Sequence, residues 1–497
     1  RMETFDMDAT NGFLDSKWYH LYCSVQRCNS ALRVLNAATD EQVNGRVSRI
    51  AEMKVLRAHY YFELSRLFNK IPYFDENVEI SQYPDIPNNE FTRDEILSML
   101  AKEMLDAAEQ LPASQPEVGR IHKYIALAYA AKIKLYQAYQ QDEITHAVTS
   151  INKELLREVV SLCDQVTASN RYGLLDDFQG LDLVTNENGK ESVFAIQYSM
   201  NDGTESAGRI NWSNLLNSPG GGSPYGGDGF FLPSQDLINA YHTEANGLPD
   251  FSYQSKSDYS WAVLNNGVYT LQNTTPNVDP RLDFVVGRPT ITWKTYPDKP
   301  CEGWVRDKDT YGYNCAKRFW VSPESSDMFN GWPWGASQLN WQIIRYADIL
   351  LWKAEALIEL NEGNGLETAR DLINQIRNRA RNSAYVKDFN DHSKYAANYL
   401  VNPYPADVWN QDYARQALRW ETRLEKALEG ERFFDLVRWG IVETTMNKYI
   451  TAESDNRIYY ANAHFTGGKD EYYPVPNNQY GFSGGKYVQN PGYAPFN

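Results

Sequence analysis

No run in this chain reaches the roughly 18–20 consecutive apolar residues that a helix needs to cross a bilayer. Basic residues are also scarce. Lys and Arg total 48 against 64 Asp and Glu, a net charge of 48 − 64 = −16. That balance argues against a nucleic-acid partner, which needs a basic surface to meet phosphates. Five cysteines, Cys23, Cys28, Cys163, Cys301 and Cys315, show no zinc-finger spacing, and the odd number leaves at least one thiol unpaired. Cys301 and Cys315 share one loop-rich stretch and are candidates to pair in an oxidising compartment. Five separate thiols is the equal alternative. The motifs of common catalysts are missing too. There is no HExxH zinc helix, no GxSxG elbow and no GxxxxGK[ST] phosphate loop. Gly467-Gly468-Lys469 and Gly484-Gly485-Lys486 read as turns. Asp182–Glu191 offers loop oxygens without the EF-hand order, so no calcium site is assigned. A glycosidase needs two carboxylates about 5–9.5 Å apart across a cleft, and sequence spacing picks out no such pair. No catalytic residue, metal or cofactor is assigned.

Helical periodicity and aromatic rings are abundant. The rings make up 13% of the chain, with 34 Tyr and 13 Trp, enough to supply both a core and a recognition surface. The chain is organised around Arg345–Asn361, where Tyr346, Ile349, Leu350, Ala354 and Leu357 recur at three- and four-residue steps. Ala347, Leu351 and Ala356 widen that face, so the helix is expected to be covered on both sides. Glu362–Gly365 reads as a stop, and Glu367–Arg381 as the second helix of a hairpin. Upstream, helices are expected over Ser16–Leu35, Val43–Phe68, Thr92–Gln110, Ile121–Tyr139 and Lys153–Ser169. Thr92 and Glu95 have capping-box spacing. Downstream, Trp409–Glu429 and Arg432–Trp439 are helical, and Tyr472–Asn497 is an ordered strap. Paired helices with small residues at their crossings suggest degenerate tetratricopeptide-like hairpins, with Ala356 and Ala369 as two such positions. Glu191–Tyr198 alternates like a short strand. Residues 200–341 then turn rich in Gly, Ser, Asn and aromatics, with few helical runs. Long loops of this kind are functional or disordered, and the aromatic content argues against disorder.

Several phrases carry a resemblance. They are RAHYYFELSRLFNKIPYF at Arg57–Phe74, RYADILLWKAEAL at Arg345–Leu357 and ARDLINQIRNRA at Ala369–Ala380. EKALEGERFFDLVRWG at Glu425–Gly440, and Pro474-Val475-Pro476 with QNPGY at Gln489–Tyr493, complete the set. In this order they resemble the SusD/RagB family over nearly the whole chain. Asn69 stands where that family has Gly, and Gln479 where it often has an acidic residue. The resemblance implies one SusD-like domain over residues 1–497. Its N-terminal helical half is 1–189. Its RagB/SusD half is 190–497 and includes the loop-rich segment 200–341. The implied fold is mainly α, with about four tetratricopeptide-like hairpins packed against an irregular half with few short strands.

The resemblance also implies a lipoprotein on the outer face of a Bacteroidetes outer membrane. Such a protein captures glycan, or peptide in the RagB branch, and passes it to a SusC-like TonB-dependent transporter. Family members begin with a lipidated Cys after a signal peptide. This sequence starts at Arg1 and lacks both, so a preceding stretch is expected.

Charged motif residues are expected to be structural. Arg345, Asp348, Glu355, Glu431, Arg432, Asp435 and Arg438 suit ion pairs on helix faces better than acid–base catalysis. A sugar presents C–H faces to aromatic planes and hydroxyl edges to polar side chains. The candidate ligand surface therefore lies on loops. Tyr225, Trp261, Trp332 and Trp334 are the leading aromatics, with Tyr83, Tyr259 and Trp304 beside them. Arg209, Asn214 and Asp228 are the polar edge. For each, ordinary burial is an equal alternative.

Overall fold

The computed structural model describes residues 2–496 except 205–207, 213–219, 221–222, 224–225, 227–228, 257, 260–261, 267, 272–275, 297–303, 323–324 and 330–334. In chain order its helices are α1 Gly12–Ala37, α2 Arg46–Phe68, α3 Arg93–Gln110, α4 Lys123–Ala138, α5 Lys153–Ala168, α6 Gln235–Ala240 and α7 Arg281–Val285. They continue as α8 Lys308–Tyr311, α9 Tyr346–Leu360, α10 Gly365–Asn382, α11 Gln411–Glu425, α12 Arg432–Arg438, α13 Val442–Glu453 and α14 Asn477–Phe482. Strands are short and pair in twos, all antiparallel. They are β1 Tyr139–Gln141 with β2 Val148–Ile151, β3 Ser192–Ile196 with β8 Trp341–Arg345, β4 Ala262–Asn265 with β5 Val268–Leu271, and β6 Val286–Gly287 with β7 Cys315–Ala316. The protein is mainly helical. Its contacts cluster into two compact units. One comprises residues 1–170, 433–447 and 462–497, and the other 171–432 and 448–461.

In the first unit α1 packs on α2, α2 on α3, α3 on α4 and α4 on α5. α4 is buried nearly all round from Ile125 to Tyr136, as expected of a helix apolar on every face. Its alanines 126, 128, 130 and 131 let neighbours approach closely. The ends are chemically specified. Asn11 caps α1 by accepting from the Phe13 and Leu14 amides at 3.0 and 3.3 Å. The Thr92–Glu95 box forms as the spacing predicts. The Glu95 amide donates to Thr92 Oγ1 at 3.3 Å, and the Thr92 amide to Glu95 Oε2 at 2.8 Å. Asn69, in place of the usual Gly, turns the chain past the end of α2 at φ +58° and ψ −71°, a γ-turn closed by the Lys70 amide donating to the Phe68 carbonyl at 2.6 Å. The C-terminal strap is tied to this end. Asn490 Nδ2 donates to the carbonyls of Phe68 and Tyr473, both at 2.7 Å. Asn88 and Val488 exchange two bonds of 2.9 and 2.8 Å.

In the second unit β8 runs directly into α9. α10 and α11 both pack on α9, and on each other. Ala356 and Ala369 are fully buried, as the hairpin reading requires. α11 ends at Glu425, earlier than the periodicity suggests. The turn after it takes Leu428 to φ +66° and Gly430 to φ +81°. β1–β2, α13 and α14 have no counterpart in the sequence reading. Their segments are too short or too polar to show a clear period.

Buried ion pairs link these helices. Arg345 reaches Glu191 at 2.9 Å, Glu425 at 2.6 Å and Glu429 at 2.9 Å. Arg281 meets Asp279 at 2.7 Å and Glu421 at 2.6 Å, and Arg377 meets Glu421 at 3.0 Å. Lys426 meets Asp348 at 2.8 Å. In the first unit Arg438 meets Asp435 at 2.9 Å. Carboxylates held so tightly by guanidinium groups are neutralised in place, which is a structural role. Asp182 and Glu191 are used the same way, whereas Glu187 has no Arg or Lys partner among the described residues and accepts from the Asn340 amide at 2.5 Å. Asp182 lies between Lys294 at 2.8 Å and Arg318 at 3.1 Å, and Glu191 binds Arg345 and Arg379.

Candidate functional site

Six of the sequence-selected ligand residues, Asn214, Tyr225, Asp228, Trp261, Trp332 and Trp334, lie outside the described residues. Cys301 does as well, so its pairing with Cys315 is not described. Cys315 Sγ approaches the Gly287 carbonyl oxygen at 3.5 Å.

The other four occupy different settings. Tyr83, in the first unit, has one ring face stacked on Phe74 at a centroid distance of 3.8 Å. Its hydroxyl accepts from Arg33 Nη2 at 3.0 Å. Arg209 is exposed and lies 3.5 Å from Asp202. Tyr259 is half-buried against His242, ring on ring at 4.4 Å. Trp304 is 2% exposed, packed with Trp293, Trp320 and Cys315. It belongs to the core, and its indole has no face left for a sugar.

The second unit nevertheless gathers aromatics at its surface, around the segment that follows α13. Arg457 is the hub. Its Nη2 donates to the carbonyls of Leu232 at 3.3 Å and Pro233 at 2.9 Å, and its Nη1 to the Tyr459 hydroxyl at 3.2 Å. The Tyr459 ring meets Tyr311, at the end of α8, at 5.7 Å. Asn456 Nδ2 donates to Asp258 Oδ2 at 3.0 Å, which brings the residue before Tyr259 to the same place. Three distant loops therefore meet on one short segment. The segment itself is anchored by Glu453, whose Oε2 lies 3.5 Å from Arg457. Burial pushes the Glu453 carboxyl up to about 7, although the Asp236 amide and Arg457 oppose it.

This anchoring leaves apolar side chains facing water. Phe230 is 59% exposed, Phe231 39%, Tyr311 41% and Ile458 69%. Exposed apolar side chains gathered on neighbouring loops are the candidate interaction surface of this unit. Phe231 also holds φ at +61°, which is costly for a bulky side chain and characteristic of functional loops. Leu232, next in sequence, packs on the Trp293–Trp304–Trp320 cluster, so the ledge rests on a rigid base. Sequence reasoning missed Phe230, Phe231, Tyr311, Ile458, Tyr459 and Arg457. Phe230-Phe231-Leu232-Pro233 ends the Gly-rich stretch, and that adjacency was the available signal.

Helical hairpins carrying a loop-borne aromatic ledge define a recognition scaffold. The SusD family matches residues 190–493, more than half of the chain, and the chain belongs to that family. A second family, described as starch-binding and associating with the outer membrane, matches residues 3–135. Among individual proteins, SusD-like protein P2 of Formosa agariphila is 23% identical over 99% of this chain and 83% of its own length. The crystal structure of a SusD superfamily protein from Bacteroides vulgatus superposes with a TM-score of 0.70 at 22% identity, covering 99% of this chain and 88% of that one. Surface glycan-binding protein A from Bacteroides thetaiotaomicron, solved in complex with laminarihexaose, gives a TM-score of 0.65 at 20% identity, covering 98% of this chain and 88% of that one. These likenesses show that the fold is that of the SusD family.

Proposed function

We propose that this protein binds a glycan at the cell surface and delivers it, uncut, to a SusC-like TonB-dependent transporter. The observation that carries the reading is the ledge of exposed Phe230, Phe231 and Tyr311, with half-buried Tyr459 against Tyr311, beside a buried tryptophan base. Flat apolar rings cover the C–H face of a sugar, and rigid support keeps the loss of side-chain freedom small. The similarity to a glycan-binding protein solved with laminarihexaose supports carbohydrate as the ligand class. The outer-membrane association in the family description supports the location, and a lipid anchor and a transporter partner complete the reading. Tyr225, Trp261, Trp332 and Trp334, with Asn214, Asp228, Arg209 and Tyr259, are proposed to extend the sugar-facing surface. Each neutral hydrogen bond adds only about 0.5–1.5 kcal/mol net. A few such contacts with stacking give capture on the order of micromolar to millimolar, weak enough for release.

Binding without cleavage is the expected activity. The carboxylates of the motif phrases and of Asp182–Glu191 that the structure pairs with Arg and Lys have no access to a substrate. The test is a glycan and peptide array followed by product chromatography of the bound glycan. Glycan binding with unchanged chain length supports the reading. Peptide binding alone would move the protein to the peptide-capturing branch, and new reducing ends would make it a hydrolase.

A further inference from the structure

Trp320, part of the tryptophan cluster beneath the ledge, also lines a cleft of about 510 Å³ in the second unit. That volume is in the range of about 300–1,000 Å³ typical of small-molecule sites. Phe178 and Phe284 supply further apolar wall, and Lys294, Lys317 and Arg318 bring cations to it.

Two of these cations are already neutralised. Lys294 and Arg318 share Asp182, and Arg318 also reaches Glu429 at 3.1 Å. Lys317 differs. It is 2% exposed, and among the described residues its ammonium meets one acceptor, the main-chain carbonyl of Asp283, at 2.5 Å. The Asp283 carboxylate is taken by Arg288 at 2.7 and 2.8 Å and by the Tyr399 hydroxyl. An ammonium has three donors, so two remain. Further out, Lys190 is paired with Asp176 at 2.8 Å, and Asp177 accepts from the amides of Gln179 and Ala384. The lining thus carries four cations (Lys190, Lys294, Lys317, Arg318), of which Lys190, Lys294 and Arg318 each pair with a carboxylate and Lys317 forms no ion pair among the described residues.

A buried ammonium with two donors unfilled, whose neighbouring carboxylate, Asp283, is already taken by Arg288, is costly, and an anion placed in the cleft lowers that cost. Lysine is a compact point charge, so a carboxylate or a sulfate satisfies it equally. We propose that the cleft receives the anionic substituent of an acidic sugar residue, with the Lys317 ammonium as its counter-ion. The proposal rests on the glycan-binding reading above and adds the class of glycan to it. Burial pushes Lys317 down to about 8, with the neighbouring Asp283 pulling the other way.

The test is titration calorimetry on the full chain with three oligosaccharides of matched length: a neutral β-glucan oligomer such as laminarihexaose, an oligogalacturonate and a sulfated oligosaccharide. The expected result is binding at least about tenfold tighter for one of the acidic oligomers than for the neutral one, in keeping with a charge-assisted hydrogen bond. Which acidic oligomer gains tells carboxylate from sulfate. Lys317→Met, which fills similar space without charge, is expected to abolish that preference while leaving neutral binding unchanged and the circular dichroism spectrum that of the parent. Lys317→Arg is expected to keep it. Equal affinity for neutral and acidic oligomers, or a preference that survives in Lys317→Met, overturns the proposal and leaves glycan binding standing. Failure of all three to bind overturns the glycan reading and this proposal together.

Discussion

Arg345 Nη2 donates to Glu429 Oε1 at 2.9 Å, joining the first residue of the central helical phrase to the turn that follows α11. The same guanidinium also holds Glu191, just before β3, and Glu425, at the end of α11. One side chain thus fixes the start of α9 relative to β3 and α11. Replacing it by Met takes one cation away from three buried carboxylates, which keep Arg379, Arg281, Arg318 and Lys426 as partners. The expected loss is about 3–5 kcal/mol, as for other buried pairs broken from one side. Urea unfolding with unchanged m-value measures it.

Acid should act on the same network. Burial alone would raise the Glu425 carboxyl, but Arg379, Arg345 and Arg281 outweigh it and hold it at about 2. Against an unfolded value near 4.3, the native state binds fewer protons. The stability it contributes is complete above about pH 4.3 and lost as the pH falls toward 2. Glu453 has the opposite sign. Its folded value of about 7 means that it stabilises below about pH 4.3 and that this contribution is lost as the pH rises through 7. Glu453→Gln should therefore gain on the wild type in Tm between pH 5 and pH 8, whereas the wild type itself should fall steeply below about pH 4. A Tm difference that does not change with pH would contradict the Glu453 assignment.

Much of this scaffold is legible in the sequence because its signals are local. The Thr92–Glu95 box, the Asn69 stop before Ile71-Pro72 and the Arg345–Leu357 period each depend on a few adjacent residues. The ion pairs of Arg345, Asp348, Asp435 and Arg438 are foreseeable in kind, since charges on packed helix faces must find partners, although the distant partners of Arg345 and Asp348 are set by the fold. The ledge was not legible. Leu232, Tyr311 and Tyr459 are far apart in sequence, and only the fold brings them together around Arg457. Aromatic identity could not separate Trp304, buried with Trp293, from Phe230, exposed to water. That distinction is made by tertiary packing.

The two kinds of aromatic should respond differently to truncation. Trp304→Ala opens a cavity in the tryptophan cluster and should cost about 3–5 kcal/mol of stability. Phe230→Ala and Tyr311→Ala should stay within about 0.5 kcal/mol of the parent, because water already surrounds much of each ring. Thermal melts of the three variants are sufficient to separate them.

Removal of the Thr92 hydroxyl is a narrower check. Thr92→Ala loses the acceptor for the Glu95 amide and should destabilise the protein by about 1 kcal/mol. Thr92→Ser keeps the acceptor and should be close to neutral.

The most direct measurement is glycan affinity in the parent and in Phe231→Ala, with the chain length of the glycan followed in the same samples. The parent should bind with a Kd on the order of micromolar to millimolar and release the glycan intact. Loss of one stacking ring, taking base–aromatic stacking of about 1–3 kcal/mol as the nearest analogue, should weaken binding roughly tenfold to hundredfold at unchanged Tm. Shortened glycan in the parent sample, or equal affinity in the two proteins, would contradict the account.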